Sequence, residues 1–224
     1  MKTEINRPTE EKAIPARLSR SSWRPTKRGW VAIGLGLLLV AGAVTFLLRP
    51  DDPPPLPQDL RGTPSWATEH YGNANAPRFR DRNIIEIDFL GEPMYVHEKA
   101  ARHFLRLAQI FEARAPEYAA TIAAGASDDW SYQNRSVRGE KAKSNHAFGL
   151  ALDVNALTNV LGTAGDMPTE VVEQWEVEGG VWGGVWARPD PMHFETHLTP
   201  EEISHRYQPD GTPQAWYLEE LVGG

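Results

Sequence analysis

Between Arg28 and Arg49 the chain runs for 20 residues without a charge, as "GWVAIGLGLLLVAGAVTFLL". No other feature constrains the fold as strongly. About 20 apolar residues span the hydrocarbon core of a bilayer as one helix. Arg17, Arg20, Arg24, Lys27 and Arg28 precede the run, while Asp51 and Asp52 follow close behind Arg49. The positive-inside rule then keeps the N-terminus in the cytoplasm and exports the rest. The small residues Ala41, Gly42 and Ala43 offer a competing reading as a signal-peptide cleavage site, but a cut there would leave "VTFLL" on the mature end. A buried core helix is disfavoured by the basic flank and the proline-rich exit. The expected arrangement is a single-pass, uncleaved anchor in the cytoplasmic membrane, with the N-terminus inside.

The charge follows this division. Residues 1–28 hold eight Lys/Arg against three Glu, and residues 29–224 hold fifteen against twenty-seven Asp/Glu. The acidic part is poorly suited to nucleic acid, so no such partner is expected. There is no cysteine, which excludes disulfides and thiolate metal sites. Any metal must be held by His, Asp or Glu.

After the anchor, "RPDDPPPLPQDLRGTP" favours extended polyproline, and the polar "YGNANAPRFRDR" continues it. The boundaries read as a basic tail (1–28), an anchor (29–48), a Pro-rich linker (49–82) and a folded domain (83–224). In that domain Ile85, Ile87 and Phe89 alternate with Glu86 and Asp88, as in a strand. Ala100, Phe104, Leu107 and Phe111 recur at helical spacing up to Pro116. "PEYAATIAA" and "MPTEVVEQWEVEGG" read as further helices, the second with a glycine stop. "VWGGVW" and "MHFET" read as strands. Thr199, Pro200 and Glu202 form a helix start with a capping box. The irregular interleaving predicts an α+β fold, with a small antiparallel sheet flanked by helices and one transmembrane helix before it.

"SNHAFGLALDVN" (144–155) carries the chemistry. Gly149–Val154 reads as a strand with Leu150, Leu152 and Val154 on one apolar face. The other face holds Gly149, Ala151 and Asp153, small residues expected to let an ion and a substrate approach. His146, Asp153 and, further on, His193 offer zinc two imidazoles and one carboxylate, with a fourth position for water. Bound zinc lowers the pKa of that water to about 7. Asp190, three residues before His193, suits the general base that takes the proton. Glu195 shares a strand face with His193 and is placed to orient its ring. A plain hydrogen-bonded His146–Asp153 pair is the bland alternative. A Ser144–His146–Asp153 triad is disfavoured, because no G-x-S-x-G elbow surrounds Ser144. His197 reads as surface or structural, and His70, His97, His103 and His205 find no assigned partner.

"SNHAFGLALDVN" resembles the S-x-H-x-x-G-x-A-x-D signature of the zinc D-Ala-D-Ala carboxypeptidase family, which includes VanY-type carboxypeptidases and the L-alanyl-D-glutamate endopeptidases of phage lysins. "GGVWGGVWARPDPMHFE" resembles its second block, and "YQNRSVRG" (132–139) its upstream arginine block. The resemblance implies a fold of the Hedgehog/DD-peptidase kind. It implies one zinc ion on His146, Asp153 and His193, with Asp190 as base. Arg135 matches the arginine that holds substrate or the developing oxyanion, with Arg138 nearby, and Ser144 matches a site-lining serine. Trp182 and Trp186 are expected to pack the core, and Val185 departs from the polar residue of many relatives.

The implied activity is hydrolysis of bonds next to D-amino acids in peptidoglycan stem peptides, by a domain held outside the cytoplasm. An Asp base leans toward the endopeptidase branch. D-Ala-D-Ala carboxypeptidase and a non-catalytic wall-binding module are the alternatives.

Overall fold

The computed structural model describes residues 60–125, 129–137, 139 and 141–223. The expected tail, the anchor and most of the linker lie outside them. Among the described residues no helix is long and apolar enough to cross a membrane.

The folded body begins earlier than expected. Residues 64–82 were expected to be linker, yet α1 (Pro64–Tyr71) and most of α2 (Phe79–Asn83) fall within them. Thr63 caps α1 by accepting from the Trp66 amide, and Pro64 takes the first helical position, where a missing N–H costs nothing. Trp66, Ala67, Tyr71, Ala74 and Phe79 are buried in the core. The Tyr71 hydroxyl donates to Leu198 O at 2.6 Å. The polar composition of this stretch hid a few large side chains, which pack against His97, Phe148 and His197.

β1 (Ile84–Phe89) and β2 (Glu92–His97) form a hairpin in which Ile84 faces His97 and Phe89 faces Glu92. Leu90 and Gly91 both have positive φ, which suits a tight two-residue connection. Ile87 and Phe89 are buried as expected, whereas Ile85 stands 41% exposed. α3 (Ala101–Arg114) covers the hairpin with Phe104, Leu107 and Phe111, all fully buried. α4 (Pro116–Ala123) follows after a single residue. α5 (Thr169–Val177) buries Val171, Val172 and Trp175. α6 (Pro200–Arg206) carries the complete capping box, and α7 (Ala215–Gly223) closes the described chain.

A second antiparallel sheet holds β3 (Ala151–Asp153), β4 (Gly180–Trp182) and β5 (His193–Thr196) in the order β3-β5-β4. Two small sheets flanked by helices make this an α+β domain. Leu152 faces Phe194 on the core side, and both are fully buried.

β3 is shorter than the strand expected over 149–154. Residues 145–148 form a 3-10 turn, and Gly149 ends it in the left-handed region at φ +71°. The small size of Gly149 therefore serves the protein and not an ion. A Cβ there would meet His97 N at 2.5 Å and Ile84 Cδ1 at 2.6 Å, because His97 N donates to Gly149 O across that contact. Gly149→Ala combines backbone strain with overpacking and is expected to cost about 2–5 kcal/mol. Chemical denaturation of the two proteins measures it.

The unassigned buried histidines have structural work. His97 Nε2 donates to Tyr71 O, and its Nδ1 accepts from Lys99 N. Burial pushes its pKa down to about 4, against that backbone hydrogen bond. His103 bonds Thr196 Oγ1 and stacks on Trp175 at 4.0 Å.

Candidate metal centre

Strand register assembles the site. Asp153 on β3 lies directly opposite His193 on β5, and Ala151 lies opposite Glu195. Period-2 alternation puts Asp153, His193 and Glu195 on the sheet face turned away from the core. Ala151 is fully buried, so its small side chain leaves space beside Glu195 and not for substrate. The 3-10 turn brings His146 over this face. Ser144 is its N-cap and accepts from His146 N. Ser144 was expected to line the substrate site, but its side chain is buried and committed to this turn.

His146 Nε2, His193 Nδ1 and Asp153 Oδ1 converge. The nitrogens lie 3.2 Å apart, and the carboxylate oxygen is 3.2 Å from the first and 3.0 Å from the second. The other ring nitrogens set the tautomers. His146 Nδ1 donates to Ser131 O at 2.9 Å, and His193 Nε2 donates to Glu195 Oε2 at 2.9 Å. In the neutral rings each converging nitrogen then presents a lone pair, and so does Asp153. Three acceptors aimed at one point require a positive charge between them. Asp153 stays ionised: burial opposes its charge, but the two imidazoles outweigh burial and hold it well below the usual carboxylate range. A proton on His193 is one answer. Burial alone would lower its pKa, yet the Asp153 and Glu195 carboxylates push it up to about 10. A divalent cation is a better answer, because it satisfies all three atoms at once, and two imidazoles with a carboxylate fit zinc.

Asp190 sits at the turn into β5. Its N–H donates to Gly183 O, and its carbonyl accepts from His193 N. This tight fit explains a glycine of the second block, since a Cβ at Gly183 would lie 2.7 Å from Asp190 O. Asp190 Oδ1 is buried without a hydrogen-bond partner. Burial raises the Asp190 pKa, as does Asp153, while the charges of His193, His146 and Arg135 pull it down. Arg135 is exposed and within electrostatic reach of that carboxylate, and Arg138 lies outside the described residues.

Glu195 does hold His193, and its Oε1 also bonds His197 Nε2 at 2.6 Å. His197, read as surface or structural, thus helps to hold Glu195 against His193. Trp182 packs against the core and donates Nε1–H to Pro191 O. Trp186 was expected to do the same, but it stands 40% exposed with its ring 5.0 Å from that of His193. Three contributors carried no signal in the sequence. Trp130, 47% exposed, exchanges both backbone hydrogen bonds with Asp153. Ser131 acts through its carbonyl, which every residue has. Asn145 Nδ2 donates to Glu195 Oε2 at 2.8 Å, and Asn is common in turns for other reasons.

No curated protein and no solved structure matches the chain. Over residues 138–196, the segment that carries His146, Asp153, Asp190 and His193, the chain matches the D-alanyl-D-alanine carboxypeptidase family model, the family that its motif blocks resemble.

Proposed function

We propose that this chain is a zinc-dependent peptidase that hydrolyses peptide bonds next to D-amino acids in peptidoglycan stem peptides. The family match supports a zinc peptidase acting on peptidoglycan. The observation that carries the reading is the convergence of three acceptor atoms within 3.2 Å beside an unpartnered buried carboxylate oxygen. A bound divalent cation supplies Lewis acidity there, acidifying water and polarising a carbonyl.

The chain's own residues do the rest. His146, Asp153 and His193 hold the ion. Asp190 Oδ1 takes the proton of the attacking water and returns it to the leaving amine. Arg135 pairs with a substrate carboxylate or with the oxyanion. The exposed indole of Trp186 stands 5.0 Å from the His193 ring and Trp130 pairs through its backbone with Asp153, so both can offer apolar walls to a bound peptide.

The specificity we favour is that of an L-Ala-D-Glu endopeptidase, because the base is Asp. The description of the matched family and the exposed guanidinium of Arg135 favour the second reading, a D-Ala-D-Ala carboxypeptidase. The apolar run at 29–48 supports an anchor that holds the domain outside the cytoplasm.

Mass spectrometry of products from defined tripeptide-, tetrapeptide- and pentapeptide-bearing muropeptides tests this. Cleavage between L-Ala and D-Glu is expected from all three. Release of only the terminal D-alanine from the pentapeptide would establish the second reading. Binding to sacculi without any cleavage, with zinc present, would leave a wall-binding module.

A further inference from the structure

The support of His193 does not end at His197. It continues into the first residues of the folded body, more than 130 positions away in sequence. Arg61 Nη1 donates to His197 O at 2.9 Å, and the same guanidinium makes a two-pronged pair with Glu202 at 2.9 and 3.0 Å. Gly62 O accepts from Asn145 Nδ2 at 3.1 Å, and that same amide reaches Glu195 Oε2. The His197 ring lies against Gly62 so closely that a Cβ there would sit 2.0 Å from Nε2. Trp66, in the first turn of α1, lies 6.2 Å from the same ring between centroids.

Glu195 is therefore gripped three ways. His193 holds one oxygen from the metal side. Asn145, itself tied to Gly62, holds the same oxygen from the turn that carries His146. His197 holds the second oxygen, and the entry segment holds His197. A partner one step behind a ligand fixes its ring orientation and typically changes metal affinity 10–100-fold when lost. Arg61 stands one step further out, on the backbone of the residue that pins Glu195.

We propose that Arg61 and Gly62 are positioning residues of the metal centre, acting through His197 and Glu195 on His193. This rests on the reading of His193 as a metal ligand. It makes the N-terminal entry segment part of the site, although it lies outside the matched segment 138–196.

The test uses the full chain stripped of metal and titrated with Co²⁺, which reports both affinity and ligand geometry through its visible absorption. Arg61→Ala is expected to weaken Co²⁺ binding about 3–10-fold, somewhat less than a direct partner of the ligand, and to shift the visible bands. Arg61→Lys, which keeps one donor, is expected to recover part of the loss. In a Glu195→Gln background, Arg61→Ala is expected to cost little more, because the connection is already broken. Should Arg61→Ala fold poorly, Glu202→Gln loosens the same guanidinium and reports the same shift in the bands. Unchanged affinity and bands in Arg61→Ala, with only a lower melting temperature, would overturn the positioning role and leave the metal centre standing. A wild-type chain that takes up neither Co²⁺ nor Zn²⁺ would instead remove the metal centre itself.

Discussion

Asp190→Asn is expected to lower turnover about 10²–10⁴-fold, the usual worth of a positioned general base, while zinc content stays at the wild-type level. Among the described residues, Asp190 is the one carboxylate with a buried oxygen that has no hydrogen-bond partner. It is also held by a turn that places it three residues before a ligand and fixes its backbone at both ends. Burial raises its pKa, which brings proton affinity closer to what catalysis near neutral pH needs. The sign of the stability effect separates this role from a structural one. A carboxyl whose folded pKa is raised binds more protons in the native state than in the unfolded state. It therefore costs stability as pH rises from its unfolded pKa through its folded one. The uncharged Asn variant of the metal-free protein should melt no lower than wild type near neutral pH. Turnover and metal content measured on one preparation decide the matter, and wild-type turnover in Asp190→Asn would remove the base.

Chelation is expected to abolish hydrolysis, and added zinc to restore it. The same treatment should lower the melting temperature. Zinc at about 1,000 times its dissociation constant adds about 4 kcal/mol to the native state. For a domain of this size that is a shift of roughly 8–16 °C. Asp153→Ala should lose both the hydrolysis and the zinc-dependent part of the shift, since it removes the only anionic member of the converging set. His193→Ala should do likewise. Identical melting with and without zinc in the wild type, or turnover that survives chelation, would contradict the arrangement of donors.

Much of this was legible in the chain itself, for local reasons. The periodic apolar residues of α3 can be buried only as one face of a helix, and Thr199, Pro200 and Glu202 close a capping box among themselves. The chemistry of two imidazoles and a carboxylate suits one ion, and their motif blocks name His146, Asp153 and His193 without coordinates. What the chain did not disclose depends on partners far away in sequence. Gly149 looked like room for a ligand until the hairpin backbone filled it. Residues 64–82 looked like linker because their few large side chains gain their burial from other segments, around His97, Phe148 and His197.

The tautomers of His146 and His193 are set by Ser131 O and Glu195. One is a backbone carbonyl, and no residue type announces such a role. The exposure of Trp186 follows from which side of the β4–β5 connection faces solvent. Sequence alone marked the candidate ligands and those helices that carry a clear apolar period or cap, because spacing and capping act over a few residues. Tertiary packing decided what surrounds and steadies them, because burial and hydrogen-bond pairing are settled only when distant segments meet.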